Sequence, residues 1–131
     1  MVSNGPTKLL HQEVTQSLIG AAMDVHAALG PGLLESAYES CLAHELTLRG
    51  LPFDRQVELP IVYKNERVDC GFRLDLLVDD VVIVELKAID KLLPIHEAQL
   101  MTYLKLSKKR VGLLINFNVQ SLRDGIIRRI V

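Results

Sequence analysis

The sequence of 131 residues predicts one α/β domain with a mixed central β-sheet flanked by helices, in the order αα-βββ-α-β. Three observations carry that expectation. Apolar residues recur at three- and four-residue steps over roughly the first fifty positions, the helical period. From Phe53 to about residue 88 the period becomes two, the signature of strands. A helical segment then separates two β-rich runs, 81–88 and 110–117, which allows a parallel crossover.

After a short polar start, SNGP, residues 8–29 read as an amphipathic helix in which Leu10, Val14, Leu18, Ala21, Ala22, Val25 and Leu29 share a face. Gly30-Pro31-Gly32 stops it, because glycine closes the last turn and proline cannot continue it. A second helix covers 33–49 and ends at Gly50, with Pro52 beyond. Val57, Leu59, Ile61 and Tyr63 then alternate with Glu58, Pro60 and Val62, as in a strand or an edge strand carrying its proline. Asn65-Glu66 makes a turn, and the runs 67–78 and 81–88 form a hairpin joined at Asp79-Asp80. Pro94 suits the first turn of a helix reaching about residue 107. A strand follows at 110–117, and the tail 119–131 reads as a short helix or a last edge strand ending in IIRRIV. No repeat, linker or low-complexity stretch breaks this order, so 1–131 is expected to be a single domain.

Composition narrows the function. With 49% hydrophobic and 24% charged residues the chain has material for a core, which excludes disorder and fibrous repeats. The formal net charge of −1 excludes a polycation that coats nucleic acid. The balance is uneven: residues 98–131 hold seven basic groups against Asp124 alone, a balance of +6, which leaves −7 on residues 1–97. No apolar run approaches the roughly 18 residues of a membrane span, and no export signal is visible. A soluble, cytoplasmic protein is expected. Cys41 and Cys70 lack the spacing of a zinc site or a disulfide framework and read as reduced structural thiols.

The chemistry concentrates in the hairpin. Side chains two apart on a strand share a face, so Glu85 and Lys87 point together while Leu86 enters the opposite layer. A three- or five-residue loop centred on residue 80 places Asp75 directly across from Glu85; a two-residue turn would separate them to opposite faces. An exposed Glu85–Lys87 ion pair would contribute only about 0–1 kcal/mol. Glu85 follows VVIV, however, a run typical of a strand covered on both faces. Two carboxylates about 4 Å apart repel by roughly 4 kcal/mol at an effective dielectric near 20, so they call for a shared cation or a proton. A divalent metal such as Mg2+, bound through oxygen ligands, is the simplest answer.

Asp75, nine residues, then Glu85-x-Lys87 resembles the PD-(D/E)xK nuclease superfamily, with Leu74 where that motif has proline. The stretch Gly32-Leu-Leu-Glu35-Ser-Ala-Tyr38 is similar to the GxxExxY signature of a small bacterial branch of that superfamily. The likeness continues through VELKA, HEAQLMTYL and VGLLINFN, over roughly residues 8–131. It implies a restriction-endonuclease-like core and metal-dependent phosphodiester hydrolysis on nucleic acid, DNA ahead of RNA. It further implies that Asp75 and Glu85, helped by the Leu86 carbonyl, hold Mg2+ with Mn2+ as a substitute. Lys87 would orient or activate water or stabilise the phosphate, and Glu35 would supply the acid from an N-terminal helix. Gln99 and Tyr103 match a QxxxY motif of exonuclease-like branches.

His96, Gln99 and Tyr103 share one helical face by spacing and are substrate-binding candidates, although that face also fits the wet edge of an amphipathic helix. Glu35 could instead complement a helix dipole, and His26 reads equally as structural or functional. Tyr38 reads as packing, Glu39 and Glu45 as solvated helix positions. A site of acids needs nearby positive charge to hold a phosphate backbone, and Lys105, Lys108, Lys109 and Arg110, with Arg123, Arg128 and Arg129, are the candidates. The rival reading is a non-catalytic nucleic-acid-binding or regulatory module that keeps the fold. The apolar tail IIRRIV suggests an interface, for a homodimer or another protein partner.

Overall fold

A computed structural model describes residues 9–131; SNGP and the expected helix start at residue 8 lie outside the described residues. Helix α1 spans Gln12–Leu29 and helix α2 spans Glu35–Leu48. The three- and four-residue spacing delivers Leu18, Ala21, Ala22 and Val25 of α1 and Tyr38, Leu42 and Leu46 of α2 to one buried cluster. Between the helices, Gly30 takes a left-handed φ of 67° and its N–H bonds the His26 carbonyl, closing α1.

The main sheet contains β1 (Phe53–Glu58), β4 (Arg73–Val78), β5 (Val82–Lys87), β6 (Val111–Asn116) and β7 (Ile126–Ile130), in that spatial order. Strands β5 and β6 are parallel and the other pairs antiparallel. Helix α3 (Pro94–Ser107) makes the crossover between β5 and β6. Alternation sends Val82, Val84 and Leu86 into the layer with α1 and α2, and Ile83 into the layer with Leu100 and Leu104 of α3. Glu85 and Lys87 therefore belong to the α3 side, at the carboxyl end of a parallel strand, where open α/β sheets hold their ligands.

The expected mixed sheet flanked by helices is present, with finer divisions. The run 53–63 breaks at Leu59-Pro60, and 67–78 breaks around Gly71, which has φ 73°. The pieces between form a separate two-stranded hairpin, β2 (Ile61–Tyr63) with β3 (Glu66–Val68). Proline lacks the N–H that a continuous ladder would use, which accounts for the first break. The tail takes both of its expected forms: a short 3-10 helix at Leu122–Gly125, then β7 on the sheet edge. Cys41 and Cys70 are free and exposed, so neither fills the core as a structural thiol. No helix among the described residues is long and apolar enough to cross a membrane.

Candidate active site

The β4–β5 turn sets the register. Asp79 and Asp80 both adopt left-handed φ, at 52° and 57°, and the Val81 N–H bonds the Val78 carbonyl. Val81 is the third loop residue, so Val78 pairs with Val82 and Leu76 with Val84. One step further sets Asp75 across from Glu85. The two are interlocked: the Asp75 N–H donates to Glu85 Oε2 at 3.0 Å, and the Leu86 N–H donates to Asp75 Oδ2 at 2.8 Å.

These bonds do not offset the cost of placing the acids together. Glu85 is 5% exposed. Burial, then the Asp75 charge, pushes its carboxyl up to about 8 from an ordinary 4.5, against the opposing pull of the Asp75 N–H and Lys87. Asp75 is also raised, first by burial and then by Glu39, while the Leu86 N–H, Gln56 and Lys87 pull it down. Glu35, the first residue of α2, is raised by desolvation, Asp75 and Glu39, with Lys87 opposing. The structure thus brings Glu35, Asp75, Glu85 and Lys87 within mutual electrostatic reach.

Two partners of this cluster have no signal in the motifs. Glu39 is buried, not solvated as expected, and accepts bonds from Arg55 and from Gln56 Nε2 at 2.8 Å. Its position four residues after Glu35 puts both acids on one helix face, a spacing that could have exposed it. Gln56 falls opposite Asp75 in the β1–β4 register but has φ 50°, a left-handed conformation inside a strand. Its amide stands 3.5 Å from Asp75 Oδ1. Strand periodicity gives no hint of such a residue.

The segment Gly32–Tyr38 is held by hydrogen bonds. The Tyr38 hydroxyl donates to the Gly30 carbonyl at 2.5 Å and accepts the Leu33 N–H at 3.2 Å. Its ring stacks on Phe117 with centroids 4.5 Å apart. Gly32 has φ 102°, which an L side chain rarely adopts, and its N–H reaches the Asn118 side chain. Tyr38 therefore sets the entry of α2 and with it Glu35. His26 is buried, with Nε2 2.7 Å from the Val119 carbonyl, a structural role. Beyond β5, the buried Asn116 pairs in register with Lys87 and clamps the backbone of Ile89 through both amide atoms. The sequence gives it no signal, because a lone Asn at the end of an apolar run resembles a strand end.

His96, Gln99 and Tyr103 of α3 line one groove with Lys87. His96 Nδ1 also accepts the Leu93 N–H at 2.9 Å, capping α3. The Tyr103 hydroxyl is raised by burial and by the Glu85 and Asp75 charges, which ties α3 to the acid pair. The basic residues are elsewhere. Lys109 pairs with Asp80 at 3.2 Å, at the opposite end of the sheet from Glu85. Arg110 adjoins Val111, which pairs with Val82 at that same end, and donates to the Val131 carbonyl. Lys108 follows α3 directly and is on the same side, while Lys105 is on the exposed surface of the helix beyond Tyr103. At about 3.3 Å per residue, Val82 is already some 10 Å from Glu85 along the strand. Arg129 pairs with Glu97 and Arg128 with the Leu10 carbonyl. The expected basic surface at the mouth of the acid site is not assembled by Lys108, Lys109 or Arg110.

Oxygen donors with surplus negative charge suit a hard divalent cation, and Asp75 with Glu85 supplies such a pair. The expected convergence of Glu35 with both is looser: among the described residues no group of three His, Cys, Asp or Glu is arranged to hold a metal ion. A family model for the PD-(D/E)XK nuclease superfamily matches residues 12–130. The chain belongs to the PD-(D/E)XK nuclease superfamily. Neither the curated proteins nor the solved structures give a match. Membership supports a nuclease-type function on nucleic acid, in a superfamily that typically uses divalent metals. It also gives context to Leu74, which stands where the motif has proline: its side chain is buried in the α3-side cluster and its backbone is paired with Val57.

Proposed function

We propose that the chain is a metal-dependent phosphodiesterase acting on DNA, of the GxxExxY branch. The observation that supports this best is the interlocked Asp75–Glu85 pair, with Lys87 on the same strand face. Asp75, Glu85 and the Leu86 carbonyl would hold Mg2+, or Mn2+ in its place, and Glu35 adds a third negative charge beside them. A bound divalent cation supplies charge neutralisation at the phosphate and a more acidic water. Lys87 donates hydrogen bonds to the scissile phosphate or the attacking water and keeps it in line. Gln56, itself bonded to Glu39 of α2, reaches Asp75 from the edge strand β1, while Asn116 steadies the backbone beyond Lys87. A second copy of the chain would dock on the edge strand β7, at whose end Ile130 and the following Val131 are exposed.

The test is cleavage of single- and double-stranded DNA with magnesium, by wild type and Lys87→Ala. Wild type should cut and the variant should not, while retaining its fold. Equal cutting by both would assign the activity to a contaminant. The loose placement of Glu35 favours one second reading, a nuclease fold kept for binding alone; salt-sensitive binding without any cutting would establish it.

A further inference from the structure

The groove beside Lys87 has walls unsuited to a phosphate backbone. It encloses about 460 Å³ between Ile61 and Phe72 on one side and Ile95, Gln99 and Tyr103 of α3 on the other. Among the described lining residues Lys87 is the only lysine, arginine, aspartate or glutamate, whereas tracking a backbone takes several cations. Phe72 is 40% exposed, an aromatic ring left open to the groove. Its centroid is 6.1 Å from that of Tyr103, with the rings tilted by 54°, so two aromatic surfaces border the same space. Gln99 adds an amide able both to donate and to accept.

We infer that this groove takes one unpaired nucleobase of the substrate, next to the phosphate at Lys87, and that the chain acts on single-stranded or frayed nucleic acid. A planar, uncharged, aromatic ligand with polar edges matches an apolar slot offering an exposed ring and one amide. A base inside a duplex is stacked and paired and must leave the helix to enter, a cost that an unpaired strand avoids. Lys87 belongs both to the groove and to the acid cluster, which places base and phosphate on adjoining positions of one strand. The inference rests on the nuclease reading for its phosphate, while base recognition is measured by binding alone.

The test uses the full chain in EDTA, which withholds metal and stops turnover. Fluorescence anisotropy compares a labelled single-stranded DNA oligonucleotide, the same strand with abasic sites, and the blunt duplex. The intact single strand should bind at least about 5-fold more tightly than the other two. Phe72→Ala and Phe72→Leu should each lose about 5- to 100-fold of single-strand affinity, with duplex binding unchanged, and Phe72→Trp should retain it. Equal binding of intact and abasic strands, wild-type affinity in folded Phe72→Leu, or no binding of any strand would overturn the inference. Cleavage with magnesium separates the two readings. Base-dependent binding without cutting removes the nuclease reading and leaves the groove; cutting without base dependence does the reverse.

Discussion

Ionisation of Glu85 should make the fold less stable as pH rises, and Glu85→Gln isolates that effect. The glutamine keeps an oxygen for the Asp75 N–H but cannot charge. The carboxyl ionises near 4.5 in the unfolded chain and near 8 in the fold, first because it is buried and next because Asp75 is close. Between those values the folded protein holds a proton that the unfolded chain releases. Stability therefore falls across about pH 4.5 to 8 and levels above it, by up to about 1.4 kcal/mol per pH unit from this group. Over the whole window this amounts to roughly 3–5 kcal/mol. In a chain of this length each kcal/mol shifts Tm by about 2–5 °C, so a gap of order 10 °C is expected. Calorimetric melts of wild type and Glu85→Gln in EDTA should coincide near pH 5 and separate by that gap above about pH 8, the variant melting higher. A constant difference in Tm between the two proteins at every pH would show that Glu85 ionisation does not oppose folding. Glu35 and Asp75 are raised too, so both proteins should retain a residual slope of the same sign.

Three further outcomes follow from the contacts. Tyr38→Phe leaves the Gly30 carbonyl and the Leu33 N–H without their partner and should cost about 1–3 kcal/mol in urea unfolding. Asn116→Ala strips both backbone bonds from Ile89 and should lower stability by about 2–3 kcal/mol, together with cleavage, because the segment after Lys87 loosens. Lys109→Ala should leave the cleavage rate unchanged, since Lys109 pairs with Asp80 at the far end of the sheet; a severalfold drop in kcat/KM would contradict that placement.

The legible part of this fold was whatever periodicity encodes. The apolar run 81–84 marks a strand buried on both faces, and the helix between two β runs marks the parallel β5–β6 crossover. The Asp75–Glu85 opposition followed from the strand period of two once the loop length was chosen, and Asp79-Asp80 satisfied it by accepting left-handed φ. The breaks at Pro60 and Gly71 were blurred because both flanking segments are β-rich and alternate in the same phase. Gln56 was invisible since its role comes from a backbone conformation that its residue type does not demand. Glu39 was misplaced because a glutamate on a helix is ordinarily solvated, and only the edge strand carrying Arg55 and Gln56 buries it. The charge asymmetry misled in a similar way. The basic tail is largely spent on internal contacts, Lys109 with Asp80, Arg129 with Glu97 and Arg128 with Leu10, instead of forming a phosphate track.

Asp75 and Glu85 are proposed to form one divalent-cation site with Lys87 beside it. A crystal soaked with manganese tests this most directly, through the anomalous signal of the ion. A single strong peak is expected within about 2.5 Å of carboxylate oxygens of both Asp75 and Glu85 and of the Leu86 carbonyl, lost in Asp75→Ala. A crystal with no peak between these two residues, or with manganese held elsewhere, would contradict it.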